Sequence, residues 1–210
     1  MVKRIGVLFD LDGVLLDTEG FYSQLWAHVD ECFPTGVPNF AQVIKGSNLE
    51  KILNTYFAPE KHADIVAMLH EFQKNMRYDF FEAVPRFLNE LKEEGIPMCV
   101  VTSSDEAKMQ AVYAQHPHFE GFFDAIVVGN MVSRCKPDPE CFLMGAERIG
   151  CDITDCYVFE DSFSGLQAGM SAGAHVIALA TTNSRESLKG KAHKIIDDFA
   201  GFTIDDMLSL

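Results

Sequence analysis

The chain has 210 residues, 48% of them hydrophobic and 23% charged, so it can bury a sizeable core and is too apolar to be disordered. A formal net charge of −14 repels phosphate backbones and anionic lipid surfaces, and no basic cluster offsets it. This argues against nucleic-acid and membrane partners and leaves a small anionic substrate only where a metal or a few placed lysines overcome the field.

The first predicted element is Ile5-Gly6-Val7-Leu8-Phe9, an apolar run without alternation, as in a strand covered on both faces. It ends in Asp10-Leu11-Asp12-Gly13, where the glycine allows a sharp turn and two carboxylates two positions apart can point into one crevice. A strand closed by an Asp-Gly turn would account for these residues alone, but not for what lies further along. Lys3-Arg4 ahead of the run imitates a signal peptide, yet five apolar residues fall short of an h-region. No stretch approaches the roughly 18 apolar residues of a membrane span. A cytoplasmic protein is therefore expected, with Cys32, Cys99, Cys135, Cys141, Cys151 and Cys156 as reduced thiols whose spacing fits no zinc site.

Helical periodicity then takes over. Phe21, Leu25, Trp26 and Val29 form an amphipathic stripe that Pro34, Gly36 and Pro38 interrupt. Ile52, Leu53, Tyr56 and Phe57 predict a second helix ending before Pro59, and Ile65, Met68, Leu69 and Phe72 a longer third. Lys45-Gly46-Ser47-Asn48 between them is a polar loop able to dip into a neighbouring cleft. Residues 17–81 are thus expected to form an all-helical insert, and residues 1–16 with 82–210 an α/β core.

Beyond Pro85 helix and strand alternate. Phe87, Leu88 and Leu91 mark a helix ended by Gly95, followed by strands at Met98–Val101, 124–128, 157–159 and 176–179, with a short sixth at Ile195-Ile196. Ser103 with Glu106 reads as a capping box, and Asp138-Pro139 as an N-cap with proline at the first helical position. Gly165, Gly169 and Gly173 let the helix after the fourth strand sit close to the sheet. This order predicts a doubly wound parallel sheet, whose ligand crevice lies outside the carboxyl ends of the strands. Those ends hold Asp10, Asp12, Thr102, Ser103, Lys136, Glu160 and Asp161.

Carboxylates converging without histidine or thiol describe a hard-cation site, and Mg2+ prefers carboxylate oxygens, water and phosphate. A phosphorylated substrate follows. Thr102 and the free N–H groups of the next helix can cradle a phosphate, with Lys136 as a point charge. One carboxylate can then attack phosphorus while the other moves protons. Singly the residues mean less: Ser103 reads equally as a helix cap and Lys136 as a solvated lysine.

Together, Asp10-Leu11-Asp12-Gly13-Val14, Thr102, Lys136 and Glu160-Asp161 resemble the four motifs of the haloacid dehalogenase superfamily, and the helical insert resembles the small cap of its β-phosphoglucomutase-like subfamily. The resemblance implies a Rossmann-like core and a Mg2+-dependent enzyme. In it Asp10 is nucleophile and metal ligand, and Asp12 is general acid/base and lends its carbonyl to the metal. Thr102, Ser103 and Lys136 hold the phosphoryl group, Asp161 with Glu160 completes the metal shell, and Lys45, Gly46, Ser47 and Asn48 face the substrate. Retention of Asp12 favours phosphate esters over carbon–halogen or phosphonate substrates. Mutases of the subfamily place a histidine and an arginine where this chain, counted without gaps, has Tyr22 and Leu49. The expectation is a monomeric phosphatase of small phosphorylated metabolites, with a phosphosugar mutase as the alternative, Lys45, Lys51 or Lys74 replacing the missing arginine. A silent phosphometabolite-binding protein is the remote third reading.

Overall fold

A computed structural model describes residues 4–45 and 47–210 of the chain. Strands form where the unalternated apolar runs predict them: β1 (Gly6–Phe9), β2 (Met98–Val101), β3 (Ala125–Val127), β4 (Cys156–Glu160), β5 (His175–Leu179) and β6 (Lys194–Ile196). They make one wholly parallel sheet in the order β3-β2-β1-β4-β5-β6, with Phe9 opposite Val100 on one side and Phe159 on the other. The winding direction reverses between β1 and β4, the point at which a doubly wound sheet opens a crevice.

After β1 the chain runs through α1 (Glu19–Cys32), α2 (Phe40–Val43), α3 (Leu49–Tyr56) and α4 (His62–Asn75) before it returns to the sheet. They share their own apolar cluster, in which Leu25, Trp26 and Val29 meet Phe40, Ile52, Leu53, Ile65 and Leu69. The stripe expected on α1 is the face so buried, except that Phe21 packs on the sheet side instead. Helix α2 is the one the periodicity did not announce. Four residues are barely one turn, and it is held because the Phe40 ring packs edge-on to Trp26, Tyr56 and Phe57.

The sheet is covered on both faces, which is why its strands do not alternate. Val7, Phe9, Val100, Phe159 and Ile177 face α5 (Val84–Glu93), α6 (Glu106–Gln115) and the C-terminal Phe199 and Phe202. Leu8, Cys99, Val101, Val158 and Val176 face α7 (Glu140–Arg148), α8 (Phe163–Ala172) and Leu188 of α9 (Arg185–Leu188); the chain ends in α10 (Ile204–Leu208). Phe9 stacks on Phe159 at 5.1 Å between ring centres and meets Phe87 edge-on at 6.4 Å, so the residue preceding the first carboxylate is clamped from two sides.

Two expected caps are corrected. Asp105, not Ser103, caps α6 by accepting from the Lys108 N–H at 3.0 Å, because the chain is still leaving the sheet at Ser103. Helix α7 begins one residue later than expected, with Pro139 at the N-cap position and Asp138 accepting from the Glu140 N–H at 3.0 Å. The glycines of α8 serve separate ends: Gly169 lies against Val158 and Val176, while Gly173 takes the left-handed conformation that ends the helix. Among the described residues no helix is long and apolar enough to cross a membrane.

Candidate active site

The carboxyl ends of β1, β2 and β4 bring the charged residues together, and the ammonium of Lys136 is where they meet. Lys136 is 2% exposed and donates to Asp10 Oδ1 at 2.6 Å, Glu160 Oε1 at 2.8 Å and the Val101 carbonyl at 3.1 Å. Three acceptors from three strands satisfy all three of its protons. Asp10 and Glu160 hold the Lys136 ammonium above the usual lysine range despite its burial. The reverse holds for Asp10: burial pushes its carboxyl up to about 8, against the pull of Lys136. Burial, reinforced by Glu160 and Asp10, raises Asp161 well above the ordinary carboxylate range. Three buried carboxyls beside one ammonium, which pairs with two of them, leave the site short of positive charge.

Glu160 has no oxygen to spare. While Oε1 takes Lys136, Oε2 accepts from the backbone N–H of Asp161 at 2.8 Å, of Ser162 at 2.7 Å and from the Ser162 hydroxyl at 2.9 Å. Helix α8 can approach only because residue 165 is glycine, since a Cβ there would lie 1.6 Å from Glu160 Oε1. Gly13 plays the same part for Asp161: its φ is +75°, and a Cβ would fall 2.2 Å from Asp161 Oδ2. Both acids are thus packed against glycines that leave room for the carboxylates alone.

Thr102 ends β2 buried at 3% exposure, its N–H bonded to the Val127 carbonyl and its hydroxyl accepting from the Ser104 N–H at 3.0 Å. Ser103 lines the same pocket, and its carbonyl runs so close to Gly129 that only glycine fits there. Asp12 lies two residues beyond Asp10, and all its oxygen lone pairs face donors. Thr18 and Lys108 hold Oδ1, while Lys108 and the Ser104 hydroxyl, the latter at 3.1 Å, hold Oδ2.

A pocket of about 130 Å³ lies between these groups and the helical insert. Its upper wall is largely apolar, with Tyr22, Trp26, Ile44, Leu49 and Ile52. Tyr22 and Leu49, the positions at which the mutase comparison turns, therefore both face the pocket. Of the polar loop, Lys45 and Ser47 line it, Lys45 bonded to Glu19 at 2.8 Å. Asn48 instead caps α3 by accepting from the Lys51 N–H, and Gly46 lies outside the described residues. Lys74 pairs with Glu71 on the exposed side of α4.

Lys108 is the residue that sequence reasoning missed. A signal was present. It is the third residue of α6, where the helix dipole disfavours a cation. A lysine at that position just beyond a strand end implies a carboxylate nearby to offset the cost.

The residues fit a hard divalent cation. Asp10 and Asp161 are hard oxygen donors in a cleft short of positive charge, with no thiol or imidazole lining it. Among the described residues no cluster of three or more acid, histidine or cysteine side chains forms a metal cage, so such an ion would be held by few side chains plus backbone oxygen, water and substrate.

The family model for haloacid dehalogenase-like hydrolases matches residues 7–179, spanning every group just described. The chain belongs to that family. It is 32% identical to the Hexitol phosphatase A of Escherichia coli over 83% of this chain and 82% of that protein. It is 29% identical to the Protein SUPPRESSOR OF QUENCHING 1 of Arabidopsis thaliana over 99% of this chain, but spans only 21% of that much longer relative. The expected β-phosphoglucomutase-like architecture is that of a β-phosphoglucomutase from Clostridium difficile, which superposes with a TM-score of 0.81 at 22% identity and covers 98% of this chain and 96% of that one.

Proposed function

We propose that this haloacid dehalogenase-like hydrolase is a Mg2+-dependent phosphatase of small phosphomonoesters, sugar phosphates foremost, working through a phospho-aspartate on Asp10. The observation that carries the reading is the pairing of two differently held carboxylates in one pocket, Asp10 locked to Lys136 and Asp12 gripped by Lys108. One is fixed as a nucleophile and the other is placed to move protons. The similarity to Hexitol phosphatase A supports the substrate class.

In this reading a carboxylate oxygen of Asp10 attacks phosphorus as the ester oxygen departs with a proton from Asp12. Asp12 then takes a proton from the water that attacks the phospho-aspartate. Thr102, Ser103 and the first N–H groups of α6 orient the phosphoryl oxygens, and Lys136 keeps Asp10 aligned between β1 and β4. Asp10, Asp161 and the Asp12 carbonyl would hold Mg2+, which when bound neutralises phosphate charge. Glu160, with both oxygens engaged, shapes the loop and shares Lys136. Residues 17–81 act as a helical cap that closes over the strand ends and excludes bulk water.

The mutase alternative is disfavoured by the pocket's upper wall. A mutase must grip the second phosphate of a bisphosphate, but Leu49 offers no charge, Tyr22 donates to no proton relay near neutral pH, and Lys45 is already neutralised by Glu19. Phosphate release across a panel of phosphorylated metabolites, with and without Mg2+, tests the reading. Release that depends on the metal is expected. Release from no member, or full turnover in excess chelator, would retire it. A hexose 1-phosphate should give free sugar and phosphate; its 6-phosphate isomer appearing faster than phosphate would restore the mutase.

A further inference from the structure

The Lys108 ammonium is buried at 2% exposure, lies against the dipole at the start of α6, and has a neutral ring above it, so its desolvation must be offset by a specific partner. That partner is Asp12, which it meets on both oxygens. The Tyr22 ring centre lies 4.3 Å from the ammonium, and the Tyr22 hydroxyl accepts from Gln73 Nε2 of α4 at 3.2 Å. A line of contacts thus runs from α4 through Tyr22 and Lys108 to Asp12. The third donor grip comes from Thr18, and Ser104, hydrogen-bonded to both Asp12 Oδ2 at 3.1 Å and Lys108 at 3.0 Å, is the longest of the four contacts on the carboxylate.

We propose that Lys108 is a positioning residue for Asp12, holding its carboxylate in the orientation from which it takes a proton from the water that hydrolyses phospho-Asp10. The proposal rests on the reading of Asp12 as acid/base given above. In the step concerned the water oxygen bonds to phosphorus, its proton passes to Asp12 Oδ2 in place of the Ser104 hydroxyl, and the P–O bond to Asp10 breaks with its electron pair returning to the Asp10 carboxylate. Lys108 gives hydrogen bonds throughout and no proton. An unheld carboxylate rotates about two single bonds, and an ångström of misplacement can cost about 100-fold in rate.

The experiment uses 4-nitrophenyl phosphate, whose leaving group departs without a proton, with Mg2+ in stopped flow. For Lys108→Met the formation of phospho-Asp10 is spared, giving a burst near one equivalent of 4-nitrophenol per enzyme and a kcat/KM close to wild type. The steady state slows, with kcat down roughly 100-fold. In an Asp12→Asn background the same substitution adds no further loss, since it acts through a group already gone. Lys108→Arg recovers part of kcat. Tyr22→Leu, which removes the ring and not the charge, slows kcat several-fold by the same pattern and serves if Lys108→Met does not fold. A fall in kcat/KM with no burst would instead make Lys108 a clamp on substrate phosphate and overturn the proposal, as would an unchanged kcat or an additive double variant. Wild type that releases no nitrophenol would overturn the phosphatase reading and this proposal together.

Discussion

The strand ends and the helical wall above them are built on opposite terms. Below, Lys136, Asp10, Glu160 and Asp161 are all nearly buried, drawn from the ends of β1 and β4 and from the β3–α7 and β4–α8 loops, and so interlocked that two positions tolerate only glycine. Above, Trp26, Ile44, Leu49 and Ile52 present apolar surface with one ion pair, Glu19–Lys45. Under the proposed function the lower set fixes what reaction can occur and the upper set, defined by shape, governs what enters. Changes below should abolish activity or stability, and changes above should redistribute substrates.

The largest effect expected is on Asp10→Asn, which removes the proposed nucleophile and should lower turnover at least about 10⁴-fold, as nucleophile deletions do. An amide keeps an acceptor for Lys136, whose charge Glu160 still balances, so the variant should melt close to wild type. Loss of activity with a lower melting temperature would mean that Asp10 is a structural acid. Next comes the metal. Mg2+ at 100 times its dissociation constant should stabilise the protein by about 2.7 kcal/mol in a thermal-shift titration, and Asp161→Ala should erase the shift. An equal shift in the variant would remove Asp161 from the ion's shell.

Gly165→Ala tests the crowding below without touching a reacting group. The added methyl meets Glu160 at 1.6 Å and should cost about 1–3 kcal/mol in urea denaturation. No measurable cost would show the loop to be far softer than it looks. The smallest effect is above. Glu19→Gln frees the Lys45 ammonium toward the pocket and should raise the preference for a sugar bisphosphate over its monophosphate roughly tenfold in kcat/KM, with the sign deciding the point. A shift toward the monophosphate would show that Lys45 does not face the leaving group.

The same contrast explains what could be read from the chain. Asp10, Thr102 and Glu160-Asp161 stand at the ends of apolar runs such as Val7–Phe9 and Met98–Val101, so once the runs are taken as parallel strands their ends must converge, and Lys136 comes from the loop beyond the neighbouring strand β3. Lys108 and Glu19 stand on helices, where direction in space depends on how each helix is rotated and docked, and the periodicity of α6 gave no strong face from which to judge it. Its dipole argument was available but local. The cap of α6 fell at Asp105 because three polar residues in a row compete for that role and only the path of the chain out of β2 decides among them. Helix α2 was hidden for another reason: it exists through the packing of Phe40, a tertiary fact.

At the base of the insert the chain leaves and returns side by side. Leu16 bridges antiparallel to Phe80, the Asp17 N–H bonds to the Asp79 carbonyl at 2.9 Å, and the Phe81 N–H bonds to the Leu15 carbonyl at 3.1 Å. From the sheet's standpoint everything between these hydrogen bonds is one closed loop, and the entropy of closing a loop grows only logarithmically with its length, by about 0.6 kcal/mol per doubling. The stretch can therefore lengthen, shorten or be rewritten over evolutionary time while the folding of the sheet scarcely registers it. A dozen glycine and serine residues spliced in at the open Gly36 turn should shift the urea midpoint by less than about 1 kcal/mol equivalent, whereas the same splice between Leu15 and Leu16 should prevent folding. An insert that can be exchanged while the sheet and its strand ends stay as they are is what that narrow two-stranded neck makes possible.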